Sequence, residues 1–395
     1  MKKLLVVSFD AVNSQEFSKE IATLPNMSKL LSQGTLVSDV DSVFISNTYV
    51  CHTSMITGVY PEKHGIIDNT AFEPNNTNPH WNWYYNQIKA PHIMEKALAL
   101  GYSITNLFWP VMAKAPFKYN LPEIIARDHE NQILTILKNG TPGFIIKYLL
   151  KNIKHFKGID QPSLDNISTA VACDVLKKAK TDLVFLHLTD TDMKKHFHGT
   201  QSNEAKASLQ RMDERLGKLL KACKEQYSIM IVSDHSQIDI HTNIDLNKEY
   251  PLDNAWWYQS EGLACLLHKE KLTKKDLKQL NNWANNNSAI KKIVSAQELK
   301  QSGLKQKSDF AIIANAGYCF IHSDKKHKAC HGFSLDIKDD YKTFYFIKDT
   351  NVQENQILTG GSILDICAVL TKILEIEPWP IEGKLNNKIF KKSAT

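Results

Sequence analysis

The sequence predicts an α/β protein with a mostly parallel central sheet flanked by helices. Short runs of Val, Ile and Leu recur along the chain, and such runs are typical of strands buried on both faces of a sheet. Stretches with helical spacing of apolar residues separate the runs, as in residues 15–33. Acidic residues and histidines directly follow several runs. Because the carboxyl ends of parallel strands meet at one crevice, this pattern predicts a ligand site there.

Each element has its own local signal. Apolar or β-branched runs predict the strands, which are residues 3–9, 36–46, 102–108, 182–188, 228–233 and 343–347. Helical spacing and flanking stop signals predict the helices, which are residues 15–33, 49–57, 92–100, 165–180, 203–226 and 362–374. Repeated Asn and Pro predict a loop over residues 69–82. Trp81, Trp83, Tyr84 and Tyr85, in and after this loop, either line a pocket for a base or simply pack together.

Two insertions interrupt the predicted core. Residues 111–165 lack strong strand runs and contain amphipathic patches, so we expect a helical cap there. The composition of the sequence changes again over residues 255–330, where short apolar runs flank a Lys- and Asn-rich helical stretch. We expect this segment to form a small α+β insertion. The catalytic core would then comprise residues 1–254 and 331–395.

Composition and charge narrow the function classes. The chain has 395 residues, of which 43% are hydrophobic and 23% charged, as is usual for a soluble globular protein. The formal net charge of +6 is spread along the chain rather than gathered in one block. Such a surplus mildly favours a small anionic substrate and is not the footprint of a nucleic-acid polymer. Nothing in the composition fixes an oligomeric state.

The cysteine pattern and the apolar runs bear on location. The seven cysteines are odd in number and include no Cys-x-x-Cys pair, which argues against a disulfide framework. Free thiols are typical of a reducing compartment. The first apolar run is too short for a signal-peptide core, and no run reaches the roughly 18 apolar residues of a spanning helix. We therefore expect a cytoplasmic protein without a membrane span.

Thr48 stands between an extended stretch and the helix predicted over residues 49–57, which Gly58 ends. A helix N-terminus offers unpaired N–H groups and positive potential, and so suits a phosphate group. A hydroxyl there could attack that phosphate if its pKa were lowered. A threonine in this position is more often only a helix cap, so other residues must decide between the two interpretations.

Carboxylates and imidazoles that follow the apolar runs could bind metal ions. Asp192 and His196 are four residues apart and could share one ion from one helical turn, with Asp190 and His198 as competitors. Asp234 and His235 directly follow a strand, where buried charges need partners. Each of these pairs taken alone could be a helix cap or an ordinary pair of polar surface residues. Together they predict a site for two divalent metal ions, with the ligands Asp10, Asp192, His196, Asp234, His235 and His331.

The chain resembles the nucleotide pyrophosphatase/phosphodiesterase family, also called type I phosphodiesterases, of the alkaline phosphatase superfamily. The resemblance runs from the first strand to about residue 335. Its motif pieces are Thr48, His52, Ser54, Thr57-Gly58, Tyr60-Pro61-Glu62, His64-Gly65-Ile66, Ile67-Asp68-Asn69, Phe108-Trp109-Pro110, Asp192-x-x-x-His196-x-x-Gly199, Ser233-Asp234-His235 and His331-Gly332.

The resemblance implies an alkaline-phosphatase-like fold and a division of roles. Asp192, His196 and His331 would hold one Zn²⁺, and Asp10, Asp234 and His235 the other, with the Thr48 oxygen facing it. Thr48 would form a covalent phosphothreonine, whose hydrolysis completes cleavage of a phosphodiester or pyrophosphate bond in a nucleotide-type substrate. The alternatives are a phosphomonoesterase or phosphonate hydrolase and, more remotely, a catalytically silent ligand-binding protein. Residues expected to contact the substrate are Cys51, Asn69 and Trp109.

Position 51 departs from the expected pattern. The nucleotide-cleaving members of the family that the chain resembles carry Asn three residues after the Thr, as an oxyanion donor, and this chain has Cys51 there. A thiol is a poor hydrogen-bond donor, so stabilisation of the transition state would be weaker or would come from backbone N–H groups. Cys51 as the nucleophile is a rival interpretation. The sulfatase arrangement, a cysteine closely followed by Pro and Arg, is absent from Cys51-His52-Thr53-Ser54-Met55.

Overall fold

The computed structural model describes residues 1–127, 129–178, 181–268, 272–322 and 326–392. Its strands, in chain order, are β1 (Leu4–Phe9), β2 (Thr35–Val40), β3 (Ile104–Leu107), β4 (Tyr119–Leu121), β5 (Leu183–Leu188), β6 (Ser228–Val232), β7 (Ile238–Asp239), β8 (Thr242–Ile244), β9 (Ala255–Ser260), β10 (Leu263–His268), β11 (Ile290–Ile293), β12 (Ala311–Ala314), β13 (Tyr318–Phe320), β14 (Ala329–Cys330), β15 (Thr343–Lys348) and β16 (Gln356–Thr359).

The helices surround the sheets. They are α1 (Ser14–Glu20), α2 (Pro25–Leu31), α3 (Thr48–Thr57), α4 (Pro61–His64), α5 (Ile93–Ala99), α6 (Gln132–Asn139), α7 (Pro142–Lys151), α8 (Ser163–Lys177), α9 (Asp190–His198), α10 (Asn203–Cys223), α11 (Leu246–Glu249), α12 (Lys274–Asn285), α13 (Ala296–Gln301) and α14 (Asp365–Leu374). Within the described residues, no helix has both the length and the apolar character needed to cross a membrane.

The main sheet has eight strands in the order β16-β2-β15-β6-β1-β5-β3-β4. Strands β6, β1, β5, β3 and β4 run parallel to one another, and β15 is antiparallel to both of its neighbours. Every residue of β1 and β5 is buried, because apolar clusters cover both faces of the sheet. One cluster includes side chains of α3, α5 and α14, and the other includes side chains of α2, α8 and α10. The predicted α/β fold with a mostly parallel sheet is confirmed.

Several elements differ from the sequence-based expectation. The helix predicted over residues 15–33 is two helices, α1 and α2, because Pro25 begins a new helix and lacks the N–H that a continuous helix would need. Strands β4 and β16 were not predicted; both are short strands at the edges of the sheet. In the cap, helices form at α6 and α7, but residues 123–127 and 129–131 are not helical.

A second, antiparallel sheet with the order β11-β12-β10-β9 lies within residues 255–330. Two short pairings connect this part of the chain to residues 238–244: β13 runs parallel to β8, and β14 is antiparallel to β7. The second pairing matters for the site because β14 ends directly before His331. The domain boundaries proposed from the sequence stay a prediction.

Helix α3 is the buried element that carries Thr48. Asn47, with extended backbone angles, is its N-cap residue, and Thr48 is its first helical residue. Gly58 ends the helix with a φ of 70°, a left-handed conformation that glycine adopts without strain. A Cβ at this position would also lie 2.9 Å from the Cβ of Cys367 on α14. The predicted stop at Gly58 agrees with the structure, whereas the helix starts one residue earlier than predicted, with Asn47 and not Thr48 as its N-cap.

Candidate active site

The carboxyl ends of three neighbouring strands of the main sheet meet at the N-terminus of α3. Asp10 follows β1, Asp192 lies in the first turn of α9 after β5, and Asp234 and His235 follow β6. His331 directly follows β14, and the pairing of β14 with β7 brings it to the same place. The structure thus brings the predicted ligands together from distant parts of the chain.

Asp10, Asp234 and His235 form the most deeply buried group. Their candidate ligand atoms all lie within 4.8 Å of one another. His235 Nε2 lies 3.2 Å from Asp234 Oδ2 and 3.5 Å from Asp10 Oδ1. The Thr48 hydroxyl joins this group, because its Oγ1 lies 3.2 Å from His235 Nε2.

Unpaired carboxylate oxygens in this group fit a divalent cation. Asp10 Oδ1 and Asp234 Oδ2 are buried and have no hydrogen-bond partner among the residues that the structure describes. Burial raises the pKa of Asp10 well above its usual value, and the charges of Asp234 and Asp192 raise it further. Neighbouring buried carboxylates are costly unless a cation or a proton neutralises them. Two carboxylates and an imidazole are suitable ligands for an ion such as Zn²⁺.

The second predicted ligand set is joined through Asp192. Asp192 Oδ1 lies 3.3 Å from His196 Nε2 and 3.9 Å from His331 Nε2. The compact groups divide these residues differently from the prediction: Asp192 and His331 group with His235, whereas His196 groups with Glu261 and His327. His196 Nε2 lies near two carboxylates, 3.3 Å from Asp192 Oδ1 and 3.9 Å from Glu261 Oε1.

Hydrogen bonds orient two of the histidines for metal binding. Asn47 Nδ2 donates to Asp68 Oδ1 (2.8 Å), which leaves Asn47 Oδ1 to accept from His331 Nδ1 (2.8 Å). His196 Nδ1 donates to the carbonyl oxygen of Ala329 (2.9 Å). In both histidines Nε2 therefore stays available as a ligand atom, as is usual when a second group fixes the tautomer.

The pKa shifts of the histidines follow from their surroundings. Burial lowers the pKa of His235 and of His331 to about 4, so both are neutral and able to bind a metal at physiological pH. Burial also opposes a charge on His196, but Asp192 and Glu261 outweigh it and raise its pKa to about 10. Binding of a cation by His196 would therefore release a proton.

The sequence patterns did not identify His187, whose imidazole contacts the Asp10 carboxylate. Its Nε2 lies 3.1 Å from Asp10 Oδ2, and its Nδ1 lies 2.9 Å from Glu123 Oε2. Burial opposes a charge on this imidazole, but the carboxylates of Glu123 and Asp10 raise its pKa well above the usual value. The contact with His187 orients Asp10 Oδ2 and leaves Oδ1 free. A histidine inside the apolar run of β5 was the only signal of this role.

The competing residues Asp190 and His198 lie outside these groups. Asp190 is fully buried and accepts hydrogen bonds from Arg211 (2.7 and 2.8 Å) and from Arg215 (2.9 Å). His198 is exposed. The carboxylate of Asp190 is thus already neutralised by arginines, which suits a structural role.

Replacing Asp190 by Ala should lower the free energy of unfolding by about 3–5 kcal/mol, because it leaves Arg215 as a buried charge without its nearest partner. Equilibrium unfolding in urea measures this change. Glu354→Ala is the control, since it removes an exposed ion pair with Lys391 and should leave the midpoint almost unchanged. A wild-type midpoint for Asp190→Ala would show that Asp190 is not a structural ion-pair residue.

The three predicted substrate contacts occupy different environments. Asn69 Oδ1 accepts from the backbone N–H of Tyr49 (2.8 Å), which fixes its side chain at the N-terminus of α3. Cys51 is fully buried, with its Sγ 3.1 Å from Ser42 Oγ, and Trp109 packs edge-on against His52 in the same core. An amide is therefore present beside Thr48, at position 69. Contact of Cys51 or Trp109 with a substrate stays a prediction.

Comparison with known proteins identifies the same family that the sequence motifs resemble. Residues 4–334 match the family model described as type I phosphodiesterase / nucleotide pyrophosphatase. Bis(5'-adenosyl)-triphosphatase ENPP4 of Pongo abelii is 22% identical, over 96% of this chain and 80% of that protein. Venom phosphodiesterase CdcPDE of Crotalus durissus collilineatus is 21% identical over 96% of this chain, which spans 45% of the venom protein.

Solved structures share the fold. The chain matches murine ectonucleotide pyrophosphatase/phosphodiesterase 5, in an inactive threonine-to-alanine variant in complex with AMP, with a TM-score of 0.72 and 18% identity over 97% of this chain and 98% of that one. The human counterpart gives a TM-score of 0.73 and 18% identity over 99% and 100% of the two chains. The fold is therefore alkaline-phosphatase-like, and the match to the family model over most of its length shows that the chain belongs to the type I phosphodiesterase/nucleotide pyrophosphatase family.

Proposed function

We propose that this protein is a metal-dependent hydrolase of phosphodiester or pyrophosphate bonds, with Thr48 as its nucleophile and two divalent cations, Zn²⁺ by expectation, as its cofactors. One observation carries the proposal: the Thr48 hydroxyl lies 3.2 Å from His235 Nε2, beside the unpaired oxygens of Asp10 and Asp234. A threonine that served only to begin a helix would not need an imidazole and two unpaired carboxylate oxygens beside it.

The N-terminus of α3 supports phosphate binding next to the nucleophile. The first N–H groups of this ten-residue helix point toward its start, where positive potential favours an anion. Asn69 uses its Oδ1 to accept from Tyr49, so its Nδ2 is the atom left to donate to a phosphate oxygen. This amide would stabilise the charge that develops on the phosphoryl group.

The ligand assignment follows the family resemblance, and the grouping of Asp10, Asp234 and His235 in the structure supports it for the first cation. Asp10, Asp234 and His235, with Thr48, would hold one cation; Asp192, His196 and His331 would hold the other. When bound, such cations lower the pKa of a ligated hydroxyl and neutralise charge on phosphoryl oxygens. The chain contributes the orientation of the ligands, through Asn47 for His331 and through His187 for Asp10.

The proposed reaction has two displacements. Thr48 Oγ1 loses its proton and bonds to phosphorus while the bond from phosphorus to the leaving oxygen breaks, which gives a phosphothreonine. The leaving group takes up a proton. Water then bonds to the same phosphorus, the bond to Thr48 breaks, and the hydroxyl is restored. Splitting the reaction in this way replaces one difficult step with two easier ones.

Charge favours a diester over a monoester. A monoester dianion is best met by an arginine fork, and the arginines of this chain are Arg127, Arg211 and Arg215. Arg211 and Arg215 bind Asp190, and Arg127 contacts His80. A phosphomonoesterase or phosphonate hydrolase is therefore the weaker candidate, and a catalytically silent binding protein is weaker still because Thr48 and the ligand types are intact.

A nucleotide-type substrate fits the aromatic surroundings of Thr48. The Trp81 ring centroid lies 5.3 Å from that of the neighbouring Tyr49, and Trp81 and Tyr84 are partly exposed, whereas Trp83 is buried. A half-exposed ring can stack on a base. Support also comes from the names of similar proteins, which include a bis(5'-adenosyl)-triphosphatase and a complex with AMP.

The location of the protein stays a prediction. We propose the cytoplasm, because the seven cysteines are free thiols in the structure.

A substrate panel tests the proposed function. Aryl phosphodiesters, aryl monoesters and phosphonates should be assayed with zinc, after chelation, and after zinc is restored. We expect diester hydrolysis to be the fastest, to fall to background with the chelator and to return with zinc. Hydrolysis that survives complete removal of metal, or a clear preference for monoesters, would overturn the proposal.

A further inference from the structure

Exposed aliphatic side chains are concentrated in α6, α7 and the turn that follows them. The described part of the chain has eleven exposed large hydrophobic side chains, and six of them lie within residues 131–159. The six are Ile133, Leu134, Ile146, Leu150, Ile153 and Ile159. Exposed aliphatic residues that bind nothing are usually scattered singly over a surface. A concentration of this kind indicates an interaction surface.

Helix α7 has apolar side chains on two faces. Its inward face packs into the core with the side chains Phe144, Ile145 and Tyr148. Its outward face carries Ile146 and Leu150, and Ile153 continues this face in the short 3₁₀ turn of residues 153–155. Spacings of four and three residues place these three side chains along one side of a helix. They are 49%, 65% and 55% exposed, and we call them the cap stripe.

A stripe of lysines runs beside the cap stripe. Lys147, Lys151 and Lys154 each follow a member of the cap stripe by one position, so they lie along its flank. Lys147 and Lys154 are exposed, and Lys151 binds Asp174 (2.5 Å). Residues 131–159 contain five lysines and no Asp or Glu, whereas the whole chain has 48 Lys and Arg and 42 Asp and Glu. The segment that carries the cap stripe is therefore cationic.

We propose that the cap stripe and its lysines dock this protein on an anionic lipid membrane. Amphipathic helices that lie on membranes bury an apolar stripe at the boundary between headgroups and acyl chains, and their lysines meet anionic headgroups. Helix α7 presents both parts on its outward side. The protein would lie on the lipid surface, and neither Thr48 nor a bound cation would take part. The inference therefore goes beyond the proposed function and does not depend on it.

Two other occupants fit this surface less well. A second copy of the chain would bring one set of lysines against the other, and like charges that face each other across an interface cost affinity. A peptide helix needs an apolar groove. The cap stripe is instead a ridge, because its side chains are half to two-thirds exposed on the outer side of a helix. A lipid surface supplies negative charge and an apolar interior, and it needs no groove.

Cosedimentation with lipid vesicles tests this proposal. The full chain should be mixed with vesicles of phosphatidylcholine alone and with vesicles of phosphatidylcholine and phosphatidylserine, at low and at physiological salt. We expect binding to the phosphatidylserine vesicles to be at least about tenfold stronger at low salt, because each lysine near an anionic surface adds to the attraction. This difference should shrink as salt screens the charges.

Two pairs of substitutions remove the two parts of the surface separately. Leu150→Ser with Ile153→Ser removes apolar side chains of the cap stripe, and Lys147→Gln with Lys154→Gln removes two exposed charges. All four side chains are exposed, so the fold should be kept. We expect each pair to weaken binding to phosphatidylserine vesicles by at least about tenfold. Turnover of a soluble aryl diester should be unchanged in both.

Matched pairs elsewhere in the chain control for the loss of exposed apolar surface and of charge. Leu100→Ser with Ile357→Ser removes side chains that are 57% and 68% exposed. Lys274→Gln with Lys278→Gln removes two exposed charges from α12. Both control pairs should bind the vesicles like wild type.

Two vesicle results would overturn the proposal: wild type that does not bind phosphatidylserine vesicles at low salt, and test pairs that bind them as tightly as wild type. Sedimentation velocity without lipid adds a third. A wild-type dimer that Leu150→Ser with Ile153→Ser converts to a monomer would show that a second copy covers the cap stripe. Thr48→Ala should bind vesicles like wild type, so a failure of the proposed nucleophile would leave this inference intact.

Discussion

Replacing Thr48 by Ala should reduce phosphodiester turnover by about 10⁴-fold or more, because it removes the atom proposed to attack the phosphorus of the substrate in the first displacement. The variant keeps the hydrogen bond from the Cys51 N–H to the carbonyl of Asn47 and the packing of α3, so the fold should survive. Asp10, Asp234 and His235 also remain, so at saturating zinc the bound metal should remain. Steady-state rates on an aryl diester, with the metal content of the same samples, measure both effects.

Thr48→Ser is the matched variant for this experiment, because it keeps a hydroxyl at the same helix position. It should retain a measurable part of the wild-type rate. The assignment of the nucleophile fails if Thr48→Ala turns over the diester at a rate near that of wild type. If Thr48→Ala loses its zinc as well, the loss of rate would not identify the nucleophile, and for this reason the metal content is measured in parallel.

Replacing Asp234 by Asn should weaken zinc binding at the group of Asp10, Asp234 and His235 by at least about 100-fold and reduce turnover at limiting zinc accordingly. The amide oxygen of Asn can still accept from the backbone N–H of Ala11, as Asp234 Oδ1 does (3.1 Å). What disappears is the charge and the unpaired oxygen that faces Asp10 and His235. Chelator competition gives the affinity, and rates over a zinc series give the activity.

Asp239→Asn is the control for the removal of one negative charge. Its carboxylate accepts from the backbone and hydroxyl of Thr200, outside the ligand groups. It should leave zinc affinity and turnover near wild type. Wild-type zinc affinity in Asp234→Asn would contradict a cation site at the group of Asp10, Asp234 and His235. In chelator, Asp234→Asn should be at least as stable as wild type, because it relieves the repulsion that helps to raise the pKa of Asp10.

The main sheet was predictable because its central strands are buried on both faces. Burial on both faces requires continuous apolar runs such as β1 and β5, and these are visible in the sequence. Edge strands do not meet this requirement. In β16, exposed and partly exposed residues alternate, so it carries no apolar run. Its place beside β2 depends on tertiary pairing that local pattern does not encode.

The candidate site also contains some residues that the sequence predicted and others that it did not. Asp10, Asp234 and His235 directly follow buried strands, so their convergence follows from the topology of the sheet. Glu261 and His327 lie in the segment between β9 and β14, and only pairings such as β14 with β7 bring this segment to the site. Position 51 shows a third case: the family resemblance implied a substrate contact there, the structure places the Cys51 side chain in a core cluster, and the contact stays a prediction.

Anomalous diffraction at the zinc edge, from crystals of the full chain grown with zinc, tests the central claim most directly. We predict one peak enclosed by Asp10, Asp234, His235 and Thr48 Oγ1, and a second peak in contact with Asp192 and His331. The absence of a peak at either position, with zinc present in excess, would contradict a two-cation site beside Thr48.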